Sequence, residues 1–202
     1  MKKNIAIFAS GSGTNAENIA QYFKGHAGIN VSLVLSNKPD AYVLERARIL
    51  GIPSVVFDRH QFYETDSVLN TLWNNSIDII VLAGFLWLVP SNILRAYPDR
   101  IVNIHPALLP RYGGKGMYGT KVHQAVKDSG DAVTGISIHF VNERYDEGQV
   151  IFQATCPVNH DDTPESIARK VHMLEYEHFP KQIEILVTKL DGPKKKAGLN
   201  TI

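Results

Sequence analysis

Residues 4–15 read NIAIFASGSGTN, an apolar run from Asn4 to Ala9 that breaks into Ser10-Gly11-Ser12-Gly13-Thr14-Asn15. Directly after it Ala16, Ile19, Ala20 and Phe23 recur at helical spacing, so the stretch predicts a strand, a glycine loop and a helix. The pattern continues outward. Ile29–Leu35 reads as a strand, Ala41–Leu50 as a helix stopped by Gly51-Ile52-Pro53, Ser54–Phe57 as a strand and Phe62–Asn75 as a helix. Ile77–Ala83, IDIIVLA, is almost continuously apolar, as a strand buried on both faces of a parallel sheet must be. Strands and helices alternating at this pace predict an α/β chain with a doubly wound, mostly parallel sheet flanked by helices.

The second half reads differently. Pro90-Ser91 opens a short helix to Tyr97, and Ile101–Ile104 is a strand cut off by Pro106. Leu109–Thr120 is a loop with Pro110 and four glycines. Val133–Val141 and Gln149–Cys156 are extended strands joined through Asn142–Gly148. Thr163 then caps a long helix with Pro164 as its first residue and Ser166 at an early exposed position. Ile167, Val171, Leu174, His178 and Ile185 are expected to form its apolar stripe, which runs to about Leu190.

The chain has 202 residues, 44% of them hydrophobic and 20% charged, with 21 basic against 20 acidic side chains and the single cysteine Cys156. A chain of this length buries roughly 70% of its unfolded surface and can hold a core without disulfides or metal. We therefore expect one domain over residues 1–190. No signal peptide is recognisable, no apolar run nears the roughly 18 residues of a membrane span, and one cysteine cannot pair internally, all of which suit the cytoplasm. The last twelve residues, DGPKKKAGLNTI, carry three lysines and one aspartate and are expected to form a disordered tail. Without them the balance is close to neutral, which argues against nucleic-acid and membrane partners. A small phosphorylated ligand stays open, because one phosphate needs only a helix N-terminus and a side chain or two.

Three segments carry candidate chemistry. Gly11-x-Gly13-x-x-Ala16 lets backbone N–H groups approach an anion at the positive end of the first helix. A dinucleotide fingerprint also expects an acid at the end of the second strand. Here that strand ends Leu35-Ser36-Asn37-Lys38, so a monophosphate suits the loop better than a nicotinamide cofactor. In Asn103-Ile104-His105-Pro106, strand periodicity puts the Asn103 amide and the His105 imidazole on one side at a carboxyl end, where open α/β sheets bind ligands. An amide donor beside an imidazole suits a reaction that charges a carbonyl oxygen and moves a proton, although a structural polar pair at a sheet end has the same spacing. Asp146 or Glu147, in the loop Asn142–Gly148, could orient His105 if the fold joins them. His172 and Glu175 share a helix face, either as an exposed pair or as ligand contacts. Metal chemistry is not expected: Glu175-x-x-His178 lacks a second copy, and there is no H-E-x-x-H.

Taken together, Ala6–Asn15, Ser36-Asn37-Lys38 followed by Leu44-Glu45-Arg46-Ala47, Val81–Phe85, Asn103–Pro110, and His139-Phe140-Val141 with Asp146-x-Gly148 resemble the phosphoribosylglycinamide formyltransferases. The match runs in order to about Pro180, and the block Asn103–Pro110 is specific to folate-dependent formyl transfer. The resemblance implies a Rossmann-like formyltransferase fold, with a nucleotide-binding half at about 1–100 and a folate and catalytic half at about 101–190. It also implies transfer of a formyl group from 10-formyltetrahydrofolate to the amine of glycinamide ribonucleotide in purine synthesis, by a monomer or homodimer without a metal.

Asn103, His105 and Asp146 match the family's active site. Gly11, Ser12, Gly13, Thr14, Asn15, His172 and Glu175 match its ribonucleotide contacts. Leu86, Trp87, Leu88 and Val89, together with Asn103, Asn142, Glu143, Arg144 and Tyr145, match its folate site. The expected mechanism is direct: the amine attacks the formyl carbon, Asn103 and a protonated His105 stabilise the oxyanion, and Asp146 holds His105 cationic in the complex and helps move the proton through an ordered water. Three departures stand out. Trp87 replaces an arginine common in the family, the stretch around Phe62 lacks another arginine that meets the folate tail, and the loop Arg111–Lys121 is long. The same domain occurs with a C-terminal extension in methionyl-tRNA formyltransferase and an N-terminal one in formyltetrahydrofolate deformylase. A first strand at residue 4 and a last helix ending near residue 190 lead us to expect neither.

Overall fold

A computed structural model describes residues 2–190; the tail expected to be disordered lies outside the described residues. The described residues form one seven-stranded sheet in the order β3-β2-β1-β4-β5-β6-β7. The strands are β1 (Lys3–Phe8), β2 (Ile29–Ser36), β3 (Ser54–Val56), β4 (Ile79–Leu82), β5 (Ile101–His105), β6 (Val133–Phe140) and β7 (Val150–Pro157). Strands β3 to β5 are all parallel, whereas β6 and β7 are antiparallel to their neighbours. The doubly wound, mostly parallel sheet expected from the alternation of elements is therefore the fold.

Side-chain alternation builds two cores on this one sheet. Ile5 and Ile7 of β1 and Ile79 and Val81 of β4 face the helices α1 (Thr14–Tyr22), α2 (Tyr42–Ile49), α6 (Thr120–Ser129) and α7 (Pro164–Thr188). Ala6, Phe8, Ile80 and Leu82 face the other way, onto α3 (Arg59–Tyr63), α4 (Ser67–Asn74) and α5 (Ser91–Ala96). A strand covered on both sides must be apolar throughout, which explains IDIIVLA.

Three local expectations need correction. The helix expected over Phe62–Asn75 is two helices. Asp58 and Gln61 form a capping box that starts α3 at Arg59, and the Thr65 hydroxyl donates to the Gln61 carbonyl while accepting from Ser67 N–H, which separates the two. Helix α6 follows the glycine-rich loop where the sequence reading has no element; Val122 and Val126 recur at helical spacing and Gly130 ends the helix at φ 70°. The stripe of α7 runs Ile167, Val171, Glu175, Phe179, Ile183 and Val187, leaving Ile185 exposed. Ser166 is half-buried, not exposed, and closes a capping box with Thr163.

Candidate active site

The carboxyl ends of β1, β4 and β5 open into a cavity of about 720 Å³, within the range of small-molecule sites. Its walls include Gly11–Asn15, Leu86, Asn103, His105, Lys115–Thr120, His123, Tyr145, Asp146, His172 and Glu175. Residues from both halves of the chain thus share one chamber, which no single motif implies.

The glycine loop is held by its neighbours. Gly13 sits at the N-terminus of α1 with φ 75°, and no side chain caps that end. The Val43 N–H donates to the Gly11 carbonyl at 3.1 Å, and the Arg46 Nε–H donates to that of Ser12 at 2.9 Å. Arg46 also pairs with Glu17, so α2 fixes the loop to α1. The exposed helix end offers N–H groups and a positive partial charge to an anion. Lys38, which also lines the cavity, adds a cation from outside the glycine motif.

Beside the loop, Glu175 is 4% exposed and central to a small network. Its Oε2 accepts from Asn15 Nδ2 at 2.9 Å and lies 2.7 Å from His172 Nδ1. Of the two readings of His172 and Glu175, the exposed pair is excluded for Glu175, because it occupies a core-facing position of α7. The Glu175 hydrogen bond raises the His172 pKa despite partial burial. Asn15 Oδ1 is buried without a partner, an acceptor awaiting a donor. Glu175→Gln is expected to return the His172 titration toward or below the ordinary imidazole value; an unmoved NMR titration would refute the pairing.

Asn103 and His105 project from β5 on the same side, while Ile104 enters the core, as strand periodicity predicts. The antiparallel register sets His139 of β6 directly opposite Asn103. Asn103 Nδ2 lies 3.1 Å from His139 Nε2 and 3.5 Å from Asp146 Oδ1. The other His139 nitrogen, Nδ1, is 2.8 Å from the Phe140 carbonyl, which assigns Nδ1–H as donor there and leaves Nε2 to accept from Asn103. Asp146 Oδ2 accepts from Gly114 N–H at 2.9 Å and faces His105 Nδ1 at 3.5 Å. The expected meeting of Asp146 with His105 is thus present; Glu147 instead pairs with Arg144. His139 belongs to the cluster although no local sequence signal places it opposite Asn103. Asp146 has φ 56°, a conformation that Asp tolerates better than most residues and that is common at functional sites.

Electrostatics modify one expectation. Burial lowers the His105 pKa and outweighs the opposing pull of Asp146 and of the Tyr112 carbonyl, 2.7 Å from His105 Nε2. His105 is therefore neutral at pH 7 in the folded protein, and the cation expected in the complex is a form it must gain there. Burial pushes the Asp146 carboxyl upward, but the neighbouring His139 and His105 rings and the Gly114 N–H, which donates to it, together leave it below the usual carboxylate range.

Buried histidines also govern acid stability. His105 and His123 are both lowered in the fold, mainly by burial. The unfolded chain protonates these groups first, so stability is expected to fall as pH drops below the ordinary imidazole value of 6.5. His172, shifted the other way, has its full contribution below that value and adds no slope there. Equal denaturant midpoints at pH 6 and pH 5, both below that value, would contradict this.

The matched folate segments divide. Leu86 and Tyr145 line the cavity, whereas Val89 is buried in the core and Asn142, Glu143 and Arg144 line a second depression with Leu94 and Arg95. Trp87 packs with Phe57, Phe62, Tyr63 and Phe85. Near Phe62, Arg59 lies 5.0 Å from the Tyr63 ring centre and 5.7 Å from that of Trp87. Among the described residues no group of three or more His, Cys, Asp or Glu side chains is placed to hold a metal, and no helix is long and apolar enough to cross a membrane.

A glycine-loop helix end and an amide–imidazole–carboxylate cluster thus share one chamber on a doubly wound sheet. The chain belongs to the formyl transferase family, whose model matches residues 3–183. It is 42% identical over 183 residues to the chloroplastic phosphoribosylglycinamide formyltransferase of Arabidopsis thaliana, covering 88% of this chain and 62% of the relative. The Vigna unguiculata counterpart is likewise covered over only 61% of its length. The phosphoribosylglycinamide formyltransferase of Bacillus subtilis is 34% identical, covering 92% of this chain and 95% of its own. The crystal structure of the Bacillus halodurans phosphoribosylglycinamide formyltransferase superposes with a TM-score of 0.82 at 37% identity, covering 93% of this chain and 96% of that one.

Proposed function

We propose that the protein transfers the formyl group of 10-formyltetrahydrofolate to the amine of N1-(5-phosphoribosyl)glycinamide, giving the formylglycinamide ribonucleotide and tetrahydrofolate in purine (IMP) synthesis. The observation that carries this reading is the shared cavity, which brings the glycine loop and the Asn15–His172–Glu175 network together with Asn103, His105 and Asp146. Relatives bearing that enzyme name match most of the chain. Both substrates are small metabolites, which suits the cytoplasm and requires neither nucleic acid nor membrane.

In this reading Gly11–Thr14 and Lys38 take the phosphate, and Asn15 Oδ1 receives a ribose hydroxyl, filling its vacant acceptor position. Leu86, Tyr145 and the aromatic wall at Trp87 receive the folate. Arg59, stacked on that wall, is the cation for its acidic tail in place of the missing arginines. The substrate amine attacks the formyl carbon, and the carbonyl electrons move to oxygen. Asn103 Nδ2, whose 3.5 Å contact to Asp146 is long enough to yield, turns an N–H to the oxyanion. The neutral His105, backed by Asp146, takes the proton lost by the amine and becomes the cation that balances the oxyanion. The bond to the folate nitrogen then breaks, and that nitrogen takes a proton from the cluster, so no covalent enzyme intermediate is formed.

The test is direct: the purified protein is mixed with the ribonucleotide and 10-formyltetrahydrofolate, and release of tetrahydrofolate is followed by absorbance. Turnover dependent on both substrates is expected; no change with competent substrates would overturn the reading.

A further inference from the structure

Helix α6 carries a buried histidine that neither cluster uses. His123 is 3% exposed and lines the cavity, yet its Nδ1 is sealed from solvent without a hydrogen-bond partner. An unpartnered buried polar atom costs about 1–3 kcal/mol, so packing alone would favour an apolar side chain. Val122 and Val126 already anchor this helix in the core. His172 and Glu175 of the first network and His105 of the second line the same cavity and act electrostatically on the ring, so His123 stands between both. Burial lowers its pKa, which keeps the ring neutral at pH 7 with a single N–H. Orphaned buried donors are rarer than under-used acceptors. The lone pair is therefore assigned to the sealed Nδ1 and the N–H to Nε2, on the edge left for the cavity.

The geometry points to His123 as a substrate-contacting residue that positions the amine acceptor, its Nε2–H donating to the amide carbonyl of the glycinamide. This rests on the ribonucleotide reading given above. A neutral donor suits the place: it holds the amide without adding charge beside His105, which must gain a proton during transfer. A lysine or arginine there would oppose that gain.

Steady-state kinetics of the parent, His123→Phe and His123→Gln test this. Phenylalanine keeps a ring but removes both nitrogens; glutamine restores an N–H at a similar reach. His123→Phe is expected to raise the ribonucleotide KM by ~10-fold, the scale of one lost hydrogen bond to a buried group, with the folate KM within about twofold. His123→Gln should recover most of the loss. An unchanged ribonucleotide KM, an equal rise for both substrates, or no recovery with glutamine would overturn the assignment while an active parent keeps the enzyme reading intact. An inactive parent would overturn both. Should the phenylalanine variant fail to fold, the parent's His123 ring resonance decides: it should move on adding ribonucleotide and not on adding folate, and a resonance indifferent to ribonucleotide would overturn the proposal.

Discussion

Asp146→Asn is expected to lower turnover by ~10²–10⁴-fold, the range for losing a positioned proton-transfer group, while ribonucleotide affinity stays within a few-fold. Asparagine has nearly the same shape, so the cavity is preserved. What disappears is the negative charge facing His105 Nδ1 at 3.5 Å, the main influence opposing the burial that keeps that ring neutral. Without it His105 is harder still to protonate, and the proton released by the attacking amine has no acceptor. The new amide also directs two N–H groups into a cluster in which Asn103 Nδ2 and Gly114 N–H are already donors. Binding is spared because Asn15, His172 and Glu175 make no hydrogen bond to Asp146. Rapid-quench turnover and calorimetry of the same preparation separate the two quantities. Turnover within a few-fold of the parent would remove Asp146 from the mechanism.

Gly13→Ala should weaken ribonucleotide binding by ~100-fold or more, about 3 kcal/mol, with folate affinity nearly unchanged. Two physical causes coincide at this residue. Its φ of 75° is open to glycine, whereas other residues pay about 1–2 kcal/mol there. An added Cβ would also lie 2.4 Å from Val43 Cγ2 and 2.8 Å from Val43 Cα. The methyl could rotate away, but the backbone atom cannot, because Val43 N–H is bonded to the Gly11 carbonyl. The loop must therefore leave its place against α2, and the N–H groups at the start of α1 leave with it. The folate wall at Leu86 and Tyr145 lies on other elements and should be unaffected. Calorimetric titration with each ligand checks this, and an unaltered ribonucleotide affinity would show that the loop does not hold the phosphate.

Much of this site could be read before folding. NIAIFASGSGTN declares strand, turn and helix because apolar period and glycine chemistry are local properties. Asn103 and His105 are two apart on a strand, so their common side follows from backbone geometry alone. His139 could not be placed that way: its position opposite Asn103 depends on the register of two antiparallel strands some 36 residues apart in sequence. Glu175 was half legible. Its place on the α7 stripe, four residues from Val171 and from Phe179, marks it as core-facing, but a carboxylate at such a position reads as exposed until Asn15 and His172 are seen to satisfy it. His123 lies on a helix that the glycine-rich segment before it obscured.

The charge state of His105 shows the same division. Sequence supplies an imidazole and, forty-one residues on, a carboxylate, and from these alone a cation is the natural expectation. The fold buries the imidazole to 3% exposure, and the desolvation exceeds the attraction, so the resting ring is neutral. The sequence by itself determined the alternation of strands and helices, the glycine loop and the shared side of Asn103 and His105, because each rests on interactions within a few residues. Only the tertiary structure decided that these segments share one cavity, that His139 and His123 join them, and how their protons are distributed, because dielectric, register and distance exist only once the chain is packed.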